Sequence, residues 1–187
     1  MNASDINYAL KDRLGKYVNF LGAFPRDHLN KYVIPSYREK HIAIIYNTLD
    51  IKSRWKMGHW ISIVISRSPC KQIFWFDSAG LTPEHHSKDF MNFFLRNSEF
   101  IRFNWCRRLQ PLYSRKCGLY NLYWIREISL YDLTQGLSRI ITFFANKNRD
   151  TNDKKVLAYY LKHLNARSCT YLLQIFKSKH IAKSCVM

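Results

Sequence analysis

Apolar positions along the chain change their period several times. Between Ser4 and Val18, Ile6, Leu10, Leu14 and Tyr17 fall on one face of an amphipathic helix, with Ser4 or Asp5 as N-cap. Gly22, Pro25 and Pro35 then mark a loop. Three runs dense in β-branched and aromatic residues, 41–47, 60–66 and 72–77, read as strands. Residues 81–97 read as one helix, with Thr82 as cap and Pro83 at its first position, and 100–106 as another strand. The stretch CGLYNLYWIREISLY, from Cys117, is apolar on nearly every side, which makes it a helix buried in the middle of a fold. Residues 132–145, 152–164 and 168–178 read as three further helices. The expected class is α+β, a small central sheet flanked by helices with a buried helix starting at Cys117.

Composition narrows the class. A chain of 187 residues, 47% hydrophobic and 16% aromatic, has room for one sizeable core, so a single domain over 1–187 is expected. The longest apolar runs are strand-length, so no membrane span is expected, and the charges near the N-terminus are unlike a secretory signal. Five irregularly spaced cysteines suit free thiols in a reducing compartment. In the C-terminal KSCVM the cysteine is third from the end, where prenylation needs it fourth. His85 and His86 are adjacent and point apart, and no Cys-x-x-Cys spacing occurs, so neither a metal nor a small-molecule cofactor is expected. Thirty Lys and Arg against thirteen Asp and Glu give a net charge of +17. That excess points to a polyanionic partner, and its scatter along the chain suits non-specific contact with DNA phosphates rather than base reading.

The chemistry sits at element ends. His59 starts one strand and Asp77 ends the next, with RSPCK between them as a hairpin loop. An odd-numbered loop centred on Ser68 would set the two residues directly opposite one another. Cys117 opens the buried helix, followed by Gly118, and Gln110 lies seven positions upstream. Taken singly, each has an ordinary reading: a surface histidine, a turn aspartate, a small buried thiol. Together they supply a nucleophile, a base, an orienting carboxylate and an amide donor. A helix N-terminus favours a thiolate, His59 takes and returns its proton, and Asp77 fixes the imidazole. Gln110 and the Cys117 N–H can bind an oxyanion, while Trp60 and Gly118 border the cleft.

At these residues the sequence resembles the adenovirus maturation proteinase family, the adenains. The resemblance rests on His59-Trp60, Asp77 and Gln110 with Cys117-Gly118, and on NFLGAFPRDHLNKYVIP at 19–35 followed by the strand HIAIIYNT. It covers roughly residues 5 to 130 and implies a papain-like, adenain-like cysteine protease fold. The adenovirus enzymes carry Glu where Asp77 stands. Asp there resembles the SUMO-specific proteases, a cellular branch of the same fold. Lys116 is a further departure, because relatives have a small or acidic residue there. The family is activated by DNA and by a basic peptide disulfide-bonded to a cysteine early in the strand before the Gln; the nearest cysteine here, Cys106, ends that strand.

The expected function is therefore a monomeric viral cysteine endopeptidase that cleaves virion capsid or core precursors at Gly-containing sites. The resemblance places it in the virion and the host cell interior, the nucleus included, with DNA as activator. Two alternatives stand beside it: a protease that releases ubiquitin-like proteins from a Gly-Gly tail, and a basic nucleic-acid-binding virion protein without catalysis.

Overall fold

The computed structural model describes residues 1–11, 13–31, 41–50, 58–66, 72–97, 100–103, 107–145 and 148–163. A five-stranded mixed sheet in the order β1-β2-β3-β4-β5 forms its centre. The strands are β1 (Val18–Phe24), β2 (His41–Asn47), β3 (Trp60–Ser66), β4 (Gln72–Phe76) and β5 (Phe100–Phe103). β1 runs parallel to β2 and β4 to β5, whereas the central β3 runs antiparallel to both β2 and β4. The helices are α1 (Ala3–Leu10), α2 (Pro83–His86), α3 (Lys88–Asn97), α4 (Cys117–Tyr131), α5 (Leu133–Phe143) and α6 (Arg149–His163). This is the α+β architecture the apolar pattern predicts, with α4 buried along most of its length. None of the described helices is long and apolar enough to cross a membrane.

Both faces of the sheet are covered, which explains why its strands read as continuous apolar runs instead of alternating. Ala43, Ile45, Trp60, Val64, Phe74 and Phe76 face α4, and the Phe76 ring stacks on Trp124 at 5.1 Å. Ile44, Tyr46, Ile61, Ile63 and Trp75 share the opposite core with Phe90, Phe93 and Phe94 of α3. The three phenylalanines sit at i, i+3 and i+4 on one stripe, and each contributes on the order of 1.5–3 kcal/mol by leaving water.

Three element boundaries depart from expectation. α1 ends at Leu10, not Val18, and Asn2 is its N-cap in place of Ser4 or Asp5. Asn2 Oδ1 accepts from the Asp5 N–H and the Asp5 carboxylate accepts from the Asn2 N–H, both at 2.8 Å, a reciprocal capping box. Beyond it the backbone turns extended, and Gly15 and Tyr17 donate their N–H groups to Ser129 at the end of α4. Contact with α4 outweighs the helical periodicity here.

Residues 18–24, expected as loop, form the edge strand β1. Gly22, at φ +135°, follows a bulge in the pairing with β2, which is the place where an edge strand tolerates glycine. The single helix expected over 81–97 breaks at Ser87, whose backbone is extended (φ −173°, ψ 145°). Ser87 Oγ accepts from the Asp89 N–H at 3.1 Å, so the serine caps a new helix. Thr82 stands at the N-cap of α2 but makes no side-chain bond to its backbone. The helix expected at 168–178 lies outside the described residues.

Candidate active site

β3 and β4 pair with Ser62 opposite Phe76 and Ile65 opposite Ile73, so the hairpin is centred on position 69, not on Ser68. That register does not oppose His59 and Asp77 directly. It keeps them on the same side, one diagonal step apart, a separation of about 7–8 Å between backbones that a histidine spans. His59 Nε2 meets Asp77 Oδ1 at 2.5 Å. The His59 backbone is held by Thr48, whose hydroxyl accepts its N–H at 3.1 Å and whose own N–H donates to the His59 carbonyl at 2.8 Å.

Asp77 is fully buried and three donors converge on it. Besides His59, the Ala79 N–H donates to Oδ1 at 2.6 Å and His86 Nε2 lies 2.7 Å from Oδ2. The His59 and His86 rings stack at 5.8 Å across the carboxylate. Burial alone would raise the Asp77 pKa, but the hydrogen bonds from both histidines, the His59 charge and the Ala79 N–H lower it to about 2. Burial likewise works against the His59 cation, and is outweighed by hydrogen bonds and charge from Asp77 and Cys117, which push its pKa up to about 10.

Cys117, at the first position of α4, is 7% exposed. Its sulfur accepts the Trp60 N–H at 3.4 Å and interacts with the His59 ring, whose Nε2 is taken by Asp77. Asn121, one turn on, fastens this arrangement. Its Nδ2 donates to both the Trp60 and Cys117 carbonyls at 2.7 Å, and its Oδ1 accepts from Ser62 Oγ. The residue after His59 and the nucleophile candidate are thus tied to one buried amide.

Gln110 enters from the other side. Ser78, next to Asp77, accepts the Leu109 and Gln110 N–H groups on its carbonyl at 2.9 and 3.1 Å. Its hydroxyl donates to Gln110 Oε1 at 2.9 Å, which leaves Nε2 as the donor this amide can offer a ligand. The approach requires Gly80 (φ +75°), where a Cβ would lie 2.5 Å from the Arg108 nitrogen.

The structure thus brings His59, Asp77 and Cys117 into one hydrogen-bonded set and anchors Gln110 to its neighbour Ser78. Trp60 is 7% exposed; its ring packs in the α4-side core, and its indole N–H donates to the Met1 carbonyl at 3.1 Å. At Gly118 the position of a Cβ lies 2.7 Å from Met1 Sδ, so a methionine side chain borders this glycine. Cys106 lies outside the described residues, as do Cys70, Cys169 and Cys185. His86 escaped the sequence reading, which weighed it only as a metal partner of His85. Its signal was the Ser87-Lys88-Asp89 sequence, a helix restart that turns His86 away from α3. Asn121 carried a clearer one, an amide four residues after Cys117 in an apolar helix.

His59, Asp77 and His86 are also the described residues whose ligand atoms gather within 4.8 Å, close enough to suggest a metal. Zinc bonds of about 2.0–2.2 Å would hold tetrahedral ligand atoms roughly 3.3 Å apart. Nitrogen–oxygen separations of 2.5 and 2.7 Å are those of shared protons.

Neither a family model nor a curated protein matches the chain. Among solved structures it is similar to an ASFV protease, at 22% identity and a TM-score of 0.40, over 67% of this chain and 44% of that one. It is also similar to the central domain of an uncharacterized Legionella pneumophila protein (14%, TM-score 0.49), over 88% of this chain and 98% of that one. A de-sumoylating protease (13%, TM-score 0.47) aligns over 100% of this chain and 88% of its own. The chain spans less than half the length of the ASFV protease.

Proposed function

We propose that the chain is a cysteine endopeptidase with Cys117 as nucleophile. The observation that carries this reading is His59, which sits between a buried carboxylate and the thiol at a helix N-terminus. At neutral pH His59 is an imidazolium, held by Asp77 on one nitrogen and facing sulfur with the other. The thiolate attacks the scissile carbonyl carbon, and the oxyanion is met by Gln110 Nε2 and the Cys117 N–H. His59 gives its proton to the leaving amine, and the C–N bond breaks to leave a thioester. Water, deprotonated by His59, then attacks the thioester carbonyl. The C–S bond breaks to release the acid and the Cys117 thiolate beside a reprotonated His59, which restores the starting ion pair.

The substrate class we favour is a virion precursor cut at a Gly-containing site, in the particle or the infected cell, with packaged DNA as activator. The adenain-like motifs and the +17 charge support it. Lys11, Lys16, Arg96, Arg115, Lys154 and Lys162, all exposed, come from several elements, as backbone contact with DNA would use them. Asp77 in place of Glu favours a second reading, release of a ubiquitin-like protein from a Gly-Gly tail.

One assay separates them: turnover of a Gly-Gly reporter peptide and of a ubiquitin-like conjugate, each with and without duplex DNA. Peptide cleavage stimulated by DNA and weakened by salt supports the first reading. DNA-indifferent cleavage of the conjugate alone supports the second. DNA binding without turnover or alkylation of Cys117 by iodoacetamide would leave only a basic binding protein.

A further inference from the structure

The segment from Gln110 to Cys117 has little of its own to hold it in shape. Leu112 and Tyr113 are 68% and 95% exposed, and its internal bonds include Ser114 N–H to the Pro111 carbonyl and Lys116 N–H to Ser114 Oγ. Both its ends are instead fastened to α6. Asn152, 1% exposed, donates Nδ2 to the Leu109 carbonyl at 3.2 Å. That carbonyl belongs to the peptide unit whose nitrogen is Gln110 N, and Gln110 N donates to Ser78. Asp153, 6% exposed, accepts Ser114 Oγ at 2.8 Å, Lys116 Nζ at 2.7 Å and Tyr120 OH at 2.9 Å. These donors flank Cys117 on both sides in sequence, and Tyr120 OH also reaches the Leu109 carbonyl at 3.3 Å. Lys116, a departure from the resemblance, is thereby explained as the cation opposite a buried carboxylate.

We propose that Asn152 and Asp153 are positioning residues that hold Gln110 in register with Cys117. The proposal rests on the proteolytic reading above and deepens it. Adjacent residues of one helix grip the oxyanion side and the nucleophile side of the same short segment, so the separation of the two groups is set by α6. Asn152 Oδ1 is buried without a hydrogen-bond partner, an unfavourable state for an amide kept only for packing. The amide is retained for its Nδ2 bond to Leu109.

The test compares Asn152→Leu, Asp153→Asn and Gln110→Ala, singly and combined, on the full chain. Asn152→Leu keeps the branching and heavy-atom count of the side chain but is bulkier, and it removes the orphaned oxygen together with the Nδ2 donor. Tm is therefore measured beside it, and kcat is taken per folded molecule. Hydrolysis of the Gly-Gly reporter needs the oxyanion donor, whereas alkylation of Cys117 by iodoacetamide does not. We expect Asn152→Leu to lower kcat by about a hundredfold with KM and alkylation rate unchanged, as a displaced catalytic group does. Added to Gln110→Ala it should cost nothing further, because it acts through that glutamine. Asp153→Asn should lower kcat in the same direction and slow alkylation as well, since it also borders the nucleophile.

Unchanged kcat in Asn152→Leu, or full additivity with Gln110→Ala, would overturn the clasp while leaving the protease. A wild-type chain that is alkylated but turns over neither the peptide nor a ubiquitin-like conjugate would sink the proteolytic reading first, and the clasp with it.

Discussion

The two faces of the sheet are built on different terms. Under α3 the core is built of isoleucines, Tyr46 and Trp75 against three phenylalanines, with the His86 ring 5.8 Å from Trp75 at its edge. Under α4 the core is equally closed but takes in Ser62, Asn121, Glu127, Ser129, Asn152 and Asp153, all buried. Burying polar groups costs more than burying methylenes unless each finds a partner. Ser62, Asn121, Asn152 and Asp153 find them at Trp60, at Cys117 and in the segment before it. Glu127 pairs instead with Arg139 and Tyr159, and Ser129 with Gly15 and the Arg126 carbonyl. The apolar face supplies stability, and the mixed face gives up some of it for placement of the site.

The sharpest way to break that comparison is a crossed pair of substitutions. Phe93→Ala should destabilise the chain by about 3–5 kcal/mol, through lost transfer energy and a cavity, and leave turnover per folded molecule near wild type. Cys117→Ala should leave Tm within a few degrees and abolish cleavage. Thermal melts and active-site titration read both. A Phe93→Ala protein that is folded but inactive would show that the faces do not divide the labour this way.

A second, smaller effect is read by pH. The His59 pKa is raised to about 10 from 6.5, so its contribution to stability is fully present below 6.5 and lost as pH rises through 10. The Asp77 pKa is lowered to about 2 from 3.8, so its contribution is present above 3.8 and lost as pH falls through 2. Stability should therefore be flat near pH 4–6.5 and decline on the alkaline side. kcat/KM should fall with an apparent pKa near 10 that belongs to the coupled set. Asp77→Asn should move that limb down; an unmoved limb would mean that Asp77 does not hold the imidazolium.

Third, Asn121→Leu should slow turnover by loosening Trp60 from Cys117, and cost about 1–3 kcal/mol by removing the buried amide's hydrogen bonds to the Trp60 and Cys117 carbonyls. The double substitution Ser62→Ala with Asn121→Leu should recover part of the stability, since both partners are then apolar, but not the rate. Recovery of both would make Asn121 a packing residue only.

Much of this architecture was legible because its signals are local. The strands at 41–47 and 60–66 and the helix at 117–131 are set by unbroken apolar runs. His59, Asp77 and Cys117 could be picked out because each stands at an element end. What escaped depends on contacts between elements. The register could not be fixed to Pro69 over Ser68, because the apolar runs mark two strands but not which of their residues pair. α1 stopped early because its C-terminal stretch is taken by Ser129, 114 residues away from Gly15. The strand at 18–24 was hidden by Gly22, which reads as a breaker until a bulge gives it a place. His86 and Asp153 show their roles only once α2 and α6 are packed.

The smallest expected effect lies where the two regimes meet. Ser87 ends α2 and caps α3, so it separates His86, which reaches Asp77, from Phe90, which enters the apolar core. Ser87→Ala removes the acceptor for the Asp89 N–H and should cost about 1 kcal/mol, as N-cap losses do. In a chain of this size that is roughly a 2–4 °C fall in Tm. If the cap belongs to the apolar face alone, kcat stays at the wild-type value while Tm drops. If the break also holds His86 on the carboxylate, the alkaline limb of the pH profile shifts together with Tm, and His86→Ala shows the same shift with a smaller thermal loss. Agreement between those two variants would extend the placed region through α2; disagreement would end it at Asp77.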